Sequence, residues 1–459
     1  MSKKNVKVLV LTPEIYSYGA MVVAGALEEA GFETNIMKFT LDTKVNSLPQ
    51  ADVYAIGLYS TLHVLEFKNW ILNLKSAYKK PIIIGGPVTQ VPELILTNMD
   101  FIDAVIVGEA EETIVDLVET LMARRDLDIV DGIAFRSQGE IVKTKPRSPI
   151  DMERRPYPKI PDDISEQSIR GAHVYIEVLR GCKGSCTFCQ VPKLFGKKIR
   201  SRPIDKIIEE VKLFKKRGAY RIAISGGTTS FYGCGSSWIN EDEIRKMLKS
   251  ISEIVGPKNL SATDIRIDAA SDGVLEAIAK YTIGWVFFGI ESGSQKMLDK
   301  MLKGFKVNDV YDTVYRAKRL GVKPAGSFIV AYPGETNEDF EETVTIVREL
   351  PLMDHFVSIA EPIPGTPLAE EIAKIELNEN PLFINDTSSF AKLHNLSIAE
   401  MRAYQLMVEG YYARCIQPSL ADEQVFKLFL NEAKKHGSDI KTCTLEIKRL
   451  YSILKQKPP

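Results

Sequence analysis

The sequence predicts an α/β chain in three parts: an open parallel N-terminal sheet, a partial barrel of six strand–helix units, and a helical C-terminal region. Short runs rich in Val, Ile and Leu at 6–11, 53–58, 81–84 and 104–107 have the unbroken apolar character of strands buried on both faces. Stretches of helical periodicity at 20–30, 64–78 and 111–122 lie between them, and 34–38 supplies one more strand. From residue 173 the alternation restarts and continues for six units.

In that second series, strands are expected at 174–178, 221–224, 264–268, 285–289, 325–330 and 356–360. Helices are expected at 204–217, 241–254, 272–280, 295–301, 307–320 and 337–350. Six such units make an incomplete barrel, with its chemistry at the carboxyl ends of the strands. Between the two series, 133–136 and 141–145 flank a Gln-Gly turn like a hairpin. The prolines from Pro146 to Pro161 then read as an extended connector. After Pro367 the chain turns helical, most clearly at 397–413, 421–435 and 443–455. These breaks predict domains at 1–125, 166–372 and 373–459, with 126–165 as hairpin and linker.

At 459 residues the chain exceeds one ordinary domain. A net charge of −1 supplies no basic field for nucleic acid or anionic lipid. No apolar run approaches the length of a membrane span. The first residues, basic then briefly apolar, lack a full signal region and read as a first strand. Six cysteines, three of them clustered, do not form a disulfide framework. A soluble cytoplasmic protein is expected, with neither nucleic acid nor membrane as partner.

The clustered three, Cys182, Cys186 and Cys189, stand at C-x3-C-x2-C spacing. A cubane iron–sulfur cluster takes one thiolate per iron, so three thiolates leave one iron open to a non-protein ligand. Zinc is the alternative, but a structural zinc site closes with a fourth ligand, and the nearest further cysteine is Cys234. Cys234, Cys415 and Cys443 show no ligand spacing, and packing is their default. The cations from Lys193 to Arg202 read first as a solvated loop, second as help in holding anionic groups.

Open parallel sheets bind ligands at the carboxyl ends of their strands. Here those ends are 12–19, the turn beginning Tyr59, Ser60 and Thr61, the Gly85-Gly86-Pro87 turn, and Gly108 with Glu109. Glycine lets a bulky ligand approach the backbone. Each turn alone is unremarked, but their shared register marks a ligand edge.

The cysteine run carries an aromatic residue, Phe188, before its last cysteine. It is followed by Ser-Gly-Gly at 225–227, Gly-Ile-Glu-Ser-Gly at 289–293, Phe-Ile-Val-Ala-Tyr-Pro-Gly-Glu at 328–335 and Pro-Ile-Pro-Gly-Thr-Pro at 362–367. This series resembles, in order, the motifs of the radical S-adenosylmethionine (SAM) superfamily. The resemblance implies a [4Fe–4S] cluster on Cys182, Cys186 and Cys189, its fourth iron chelated by the SAM amino and carboxylate groups. One electron, from a low-potential donor, would then release a deoxyadenosyl radical that abstracts hydrogen from an unactivated carbon. It also implies that Gly226 and Gly227 receive the SAM amino group and that Phe188 and Val330 lie near the adenine. Glu291 and Ser292, and Arg266 or Asp268, are implied for the ribose and carboxylate. A strand-end carboxylate is equally open to pairing with a neighbouring arginine. Thr228 and Thr229 stand where Glu-Pro is commoner, which removes a carboxylate role there. No residue is identified as catalytic.

Placed before such a core, a domain with Gly-Gly-Pro at 85–87 and Val-Gly-Glu-Ala-Glu-Glu at 107–112 looks like a Rossmann-like cobalamin-binding domain. The whole is similar to the cobalamin-dependent radical SAM methyltransferases of class B. That similarity implies cobalamin as third cofactor and methyl transfer from methylcobalamin to an sp3 carbon. The chain departs from the best-known cobalamin domains in lacking an Asp-x-His-x-x-Gly motif. The residue facing cobalt would come from 59–66: His63, or Tyr59 or Leu62. A lone histidine opening a helix is otherwise a cap or surface residue.

Within that family the layout most resembles the methanogen enzymes that modify methyl-coenzyme M reductase, of the glutamine C-methyltransferase type. The implied acceptor is the α-carbon of a glutamine in that protein, in an unfolded or nascent segment. Two alternatives stay open. A methylthiotransferase acting on tRNA or a ribosomal protein would need a second cluster from N-terminal cysteines, and residues 1–181 contain none. It would usually add a C-terminal RNA-binding β-domain, where this tail reads as helical. A cobalamin-dependent radical SAM enzyme without methyl transfer is the other. A non-catalytic carrier would keep the cysteines but not the later motifs.

Overall fold

The computed structural model describes residues 3–414 and 423–456. It forms two compact units: Met1–Gly181 with Lys193–Gly226 and Glu253–Val255, and Cys182–Pro192 with Gly227–Ser252 and Gly256–Pro459.

The first unit begins with β1 (Lys7–Pro13), α1 (Tyr18–Glu29), β2 (Glu33–Phe39), β3 (Val53–Gly57), α2 (Thr61–Glu66), α3 (Lys68–Tyr78), β4 (Ile82–Gly85), α4 (Pro92–Asn98), β5 (Ala104–Ile106), α5 (Glu111–Met122), β6 (Ile133–Ser137) and β7 (Glu140–Lys143). The strands form one sheet in the order β2-β1-β3-β4-β5-β6-β7. The first five are parallel, as expected of their unbroken apolar runs. Val8, Val10, Val53, Ala55, Ile83 and Ala104 share a core with Leu27 of α1 and Leu117 of α5.

Three differences from the sequence reading have local causes. The hairpin read as part of a linker instead extends the sheet, β6 pairing antiparallel with β5 through Val105 and Ala134. Its residues Ile133 and Ala134 are buried, and the pairing covers what would be an open strand edge. The single helix expected at 64–78 is broken at Phe67, whose ring turns inward to meet Phe39 edge-on at 5.0 Å. Helix α4 was not expected; its signal was Pro92 opening the first turn with Glu93 behind it.

The remaining elements of this part of the chain are β8 (Val174–Glu177), β9 (Leu179–Arg180), α6 (Val191–Phe195), β10 (Arg200–Ser201), α7 (Ile204–Lys216) and β11 (Ile222–Ser225). β8 and β11 pair in parallel, and β9 and β10 antiparallel. Helix α7 buries Ile207, Val211 and Phe214, one stripe at helical spacing.

Then follow α8 (Glu241–Val255), β12 (Leu260–Ala262), β13 (Asp264–Ile265), α9 (Asp272–Tyr281), β14 (Trp285–Glu291), α10 (Gln295–Lys300), α11 (Val307–Arg319), β15 (Lys323–Val330), α12 (Asn337–Glu349), β16 (Asp354–Ile359), α13 (Pro367–Lys374), α14 (Ser389–His394), α15 (Ile398–Arg414) and α16 (Glu423–Gln456). Strands β13 to β16 are parallel neighbours in chain order. All six expected strand positions of the second series are occupied. The third is cut short, because Ile267–Ala269 folds into a tight helical turn that carries Asp268 off the strand.

The two last expected helices are one, the 34-residue α16. Gly437 does not break it, because α16 packs there on α15: a Cβ at Gly437 would lie 2.3 Å from the Glu400 side chain. Cys415 and the first positions of the helix expected at 421–435 lie outside the described residues. Among the described residues no helix is long and apolar enough to cross a membrane.

Candidate active site

The loop Cys182–Pro192 opens the second unit. Thr187 pins its middle: its N–H donates to the Met301 carbonyl at 3.1 Å and its carbonyl accepts from Leu368 N–H at 3.0 Å. The Thr187 hydroxyl lies 2.6 Å from the Tyr332 phenol. Beside it Phe188 packs on the buried apolar cluster that includes Met297, Met301, Tyr332 and Leu368. Cys182 is buried, and Cys186 and Cys189 are half-buried. Burial pushes the Cys182 thiol up and the Cys189 thiol up to about 12. Such thiols give thiolates when a metal supplies the compensating charge. Among the described residues no three His, Cys, Asp or Glu side chains share the space of one metal ion. A cubane, with one thiolate on each iron, does not ask them to. Three free thiols on a short anchored loop fit that cluster.

Arg266 is buried against this loop. Its Nε and Nη2 donate to Asp268 Oδ1 at 2.9 Å and Oδ2 at 2.8 Å, Nη2 also donates to the Lys303 carbonyl, and Nη1 stands 3.5 Å from Cys186 Sγ. Burial opposes the guanidinium charge, but Asp268 outweighs burial and holds the group above its ordinary range. Asp268, implied above for ribose or carboxylate, instead engages both oxygens on Arg266.

Glu291 ends β14 with a left-handed backbone, φ 69°. Its carboxylate takes the Lys303 ammonium at 2.9 Å and the Ser327 hydroxyl at 3.1 Å. Lys303 was not anticipated. It sits in a polar turn after α10 with no periodicity to mark it, yet is only 3% exposed, its Nζ 5.7 Å from the Phe188 ring centre. The Ser292 hydroxyl pairs with Thr343 of α12 at 3.0 Å and accepts the Ser294 N–H, both buried. Val330 is fully buried at the end of β15. The next residue, Ala331, is left-handed at φ 56° and donates its N–H to Glu335, which pairs with Arg402 at 2.6 Å. Burial pushes the Glu335 carboxyl up to about 7. Gly227 also has a positive φ, 104°.

In the first unit Gly226 follows β11 directly, and a Cβ there would meet the Leu179 carbonyl at 2.1 Å. At the carboxyl edge of the seven-stranded sheet, Gly86 holds φ 107° with no room for a side chain against Leu58. A Cβ at Gly85 or Gly108 would meet nothing within 4 Å, so backbone lies open along that edge. Pro87 begins the turn Pro87–Gln90. Ser60 caps α2, its hydroxyl accepting the His63 N–H at 3.2 Å, and Thr61 is buried behind it. Tyr59 donates its hydroxyl to the Pro13 carbonyl at 2.5 Å and sets its ring 4.6 Å from His63. Leu62 is half-buried. Among the described residues the His63 Nδ1 is buried with no hydrogen-bond partner, and burial lowers the ring's pKa, favouring the neutral imidazole. An open glycine edge beside a neutral imidazole with an orphaned nitrogen fits a corrinoid better than it fits a closed core.

Glu109 is redirected by the structure. Expected to face a ligand, it instead accepts from Arg180 at 2.7 Å, from Arg200, and from the Ile150 N–H at 3.1 Å. Arg180 also pairs with Glu177 at 2.8 Å and with Glu111, whose carboxyl burial would raise but Arg180 holds below its usual range. Arg155 continues the network to Glu177 at 2.9 Å, Glu210 at 3.0 Å and the Tyr18 hydroxyl at 2.6 Å. Arg202, in the run read as a solvated loop, is 1% exposed and donates to the Met152 and Arg155 carbonyls. Partners so distant in sequence leave no local pattern to read.

Residues 176–347 match the model of the Radical SAM superfamily, and residues 5–118 that of the B12 binding domain. A Methanocaldococcus jannaschii protein assigned provisionally as a methylthiotransferase is 43% identical over 444 residues, which is 96% of this chain and 95% of its own length. The structure of the radical SAM methyltransferase TsrM from Kitasatospora setae, with cobalamin and a [4Fe–4S] cluster bound, superposes with a TM-score of 0.69 at 17% identity. It covers 82% of this chain and 79% of its own. The cobalamin-dependent SAM radical enzyme OxsB with aqua-cobalamin bound gives a TM-score of 0.66 at 16% identity, over 94% and 71%.

The chain belongs to the radical SAM superfamily, in the group that adds a B12-binding domain. Its cofactors are a [4Fe–4S] cluster, SAM and cobalamin, and its chemistry requires a reductant.

Proposed function

We propose that this enzyme moves a methyl group from methylcobalamin to an unactivated sp3 carbon, with the α-carbon of a glutamine in methyl-coenzyme M reductase as the preferred acceptor. The observation that carries the proposal is the three-thiol loop, Cys182, Cys186 and Cys189, in a chain that also holds a B12-binding domain. When bound, the cluster with SAM supplies a hydrogen-abstracting radical and cobalamin supplies the methyl group. The protein's part is to hold and shield these groups. Thr187 and Tyr332 anchor the cysteine loop. Phe188, half-buried on an apolar cluster, would offer the adenine an apolar face with Val330 packed at the end of β15, and Gly226 and Gly227, both at positive φ, would direct backbone groups to the SAM amino group. The Glu291–Lys303 pair gives the ribose a polar partner. In the first unit Gly85, Gly86 and Gly108 would pass the corrinoid tail, with His63, Tyr59 and Leu62 as candidates to face cobalt. Domains at 1–125, 166–372 and 373–459, joined through 126–165, would divide this work.

The test is anaerobic purification with cobalamin supplied, followed by iron and corrinoid counts and incubation with a glutamine-containing reductase peptide. About four irons and one corrinoid per chain, with a peptide heavier by one methylene unit, is the expected result. Iron without corrinoid would sink methyl transfer from cobalamin. The provisional name of the M. jannaschii relative supports a second reading, methylthio transfer. The absence of cysteine from residues 1–181 weighs against it, and a peptide or tRNA product heavier by sulfur as well as carbon would decide for it.

A further inference from the structure

We propose that Arg266 raises the reduction potential of the cluster by donating an N–H to the Cys186 sulfur, and does not serve as the receptor for the SAM carboxylate. The inference rests on Cys182, Cys186 and Cys189 holding the cluster. Arg266 Nη1 stands 3.5 Å from Cys186 Sγ. At Gly184, between the first two cysteines, a Cβ would lie 2.9 Å from that same nitrogen and 3.4 Å from Cys182 Sγ. The guanidinium therefore lies against bare backbone, in the angle between two cluster ligands.

Three of its other four N–H bonds are engaged. Nε and one Nη2 proton go to Asp268, and the other Nη2 proton to the Lys303 carbonyl. A guanidinium carries five N–H bonds, and with one directed at sulfur a single Nη1 proton is left. One proton cannot make the paired grip that suits arginine to carboxylates. What the arrangement can do is stabilise charge on sulfur. Reducing the cluster places more negative charge on its ligands, so an N–H bond to a thiolate and a nearby cation favour the reduced form. Lys303 adds little net charge, since Glu291 neutralises it at 2.9 Å. Asp268 fixes Arg266 and partly offsets it.

The experiment is an EPR-monitored redox titration of the SAM-free, iron-reconstituted full chain, alongside SAM affinity, for the unmutated protein, R266Q, R266K and D268N. The expected result is a more negative midpoint in R266Q, an intermediate one in R266K, a more positive one in D268N, and SAM affinity little changed. An unmoved potential with SAM affinity down about tenfold in R266Q would make Arg266 a carboxylate receptor and overturn the proposal. If R266Q takes up no iron, D268N decides, because it keeps Arg266 and all three cysteines; an unshifted midpoint there overturns the proposal equally. Absence of iron from the unmutated protein overturns the cluster reading and this proposal together, and so is told apart from failure of the proposal alone.

Discussion

Arginines and carboxylates cluster in both compact units, but they close differently. Around Arg180, each cation meets carboxylates on several sides: Glu109, Glu111 and Glu177, with Arg155 carrying the chain on to Glu210 and Tyr18. Around Arg266, two donor directions face Asp268, one a backbone carbonyl and one the Cys186 sulfur. The first network pairs its cations with carboxylates of the same unit, and the neighbouring strand ends at Gly85 and Gly108 carry no side chain. The second points part of its hydrogen-bonding capacity at the sulfur of Cys186, one of the three cysteines proposed to hold the cluster. Buried ion pairs of the first kind carry structure, and removing one partner strands the others.

The comparison can be broken at several points. The largest effect is expected at the cysteines: C186A should leave the fold intact, lose cluster iron and reduce activity to background, as read by iron assay and circular dichroism. Next, R180Q would leave Glu109, Glu111 and Glu177 without their common cation. A loss of about 3–5 kcal/mol in denaturant unfolding is expected, and a loss below about 1 kcal/mol would show that the network is not structural.

A smaller, pH-dependent effect is expected at His355, which stacks on Phe328 and is pushed down to about 4, first by burial and then by Arg414. Its unfolded value is near 6.5. Between those values the unfolded chain binds the extra proton, so stability is full above about 6.5 and falls as pH drops toward 4. The loss amounts to about 3–3.5 kcal/mol. H355F should flatten that part of the stability–pH profile, which acid unfolding at several pH values would check. The smallest effect on the fold is expected from G85A, where a Cβ meets nothing within 4 Å. Its melting temperature should match the parent while corrinoid retained after gel filtration falls; unchanged retention would remove Gly85 from the ligand edge.

Both strand–helix series were legible in the sequence because burial on two faces makes a strand apolar throughout and a covering helix periodic. The cysteine loop was legible because its three cysteines lie within eight residues and need no other part of the chain to be recognised. Resemblance in motif order then supplied the cofactors. The hairpin's place in the sheet, the break at Phe67 and the unbroken α16 depended on Val105, Phe39 and Glu400, neighbours met only after folding.

The same holds for charge. A sequence shows that Glu109, Arg200, Arg202 and Asp268 are ionisable, and even that they sit near strand ends. It does not show their partners, because a charged side chain's role is set by whichever group comes within hydrogen-bond reach, and those groups lie far along the chain. Sequence alone therefore determined the cofactor loop and the α/β framework, both of which are local patterns. Tertiary structure decided that Glu109 and Arg202 hold the fold, that Lys303 stands beside Phe188, and that Arg266 faces sulfur, because each depends on contacts between distant segments.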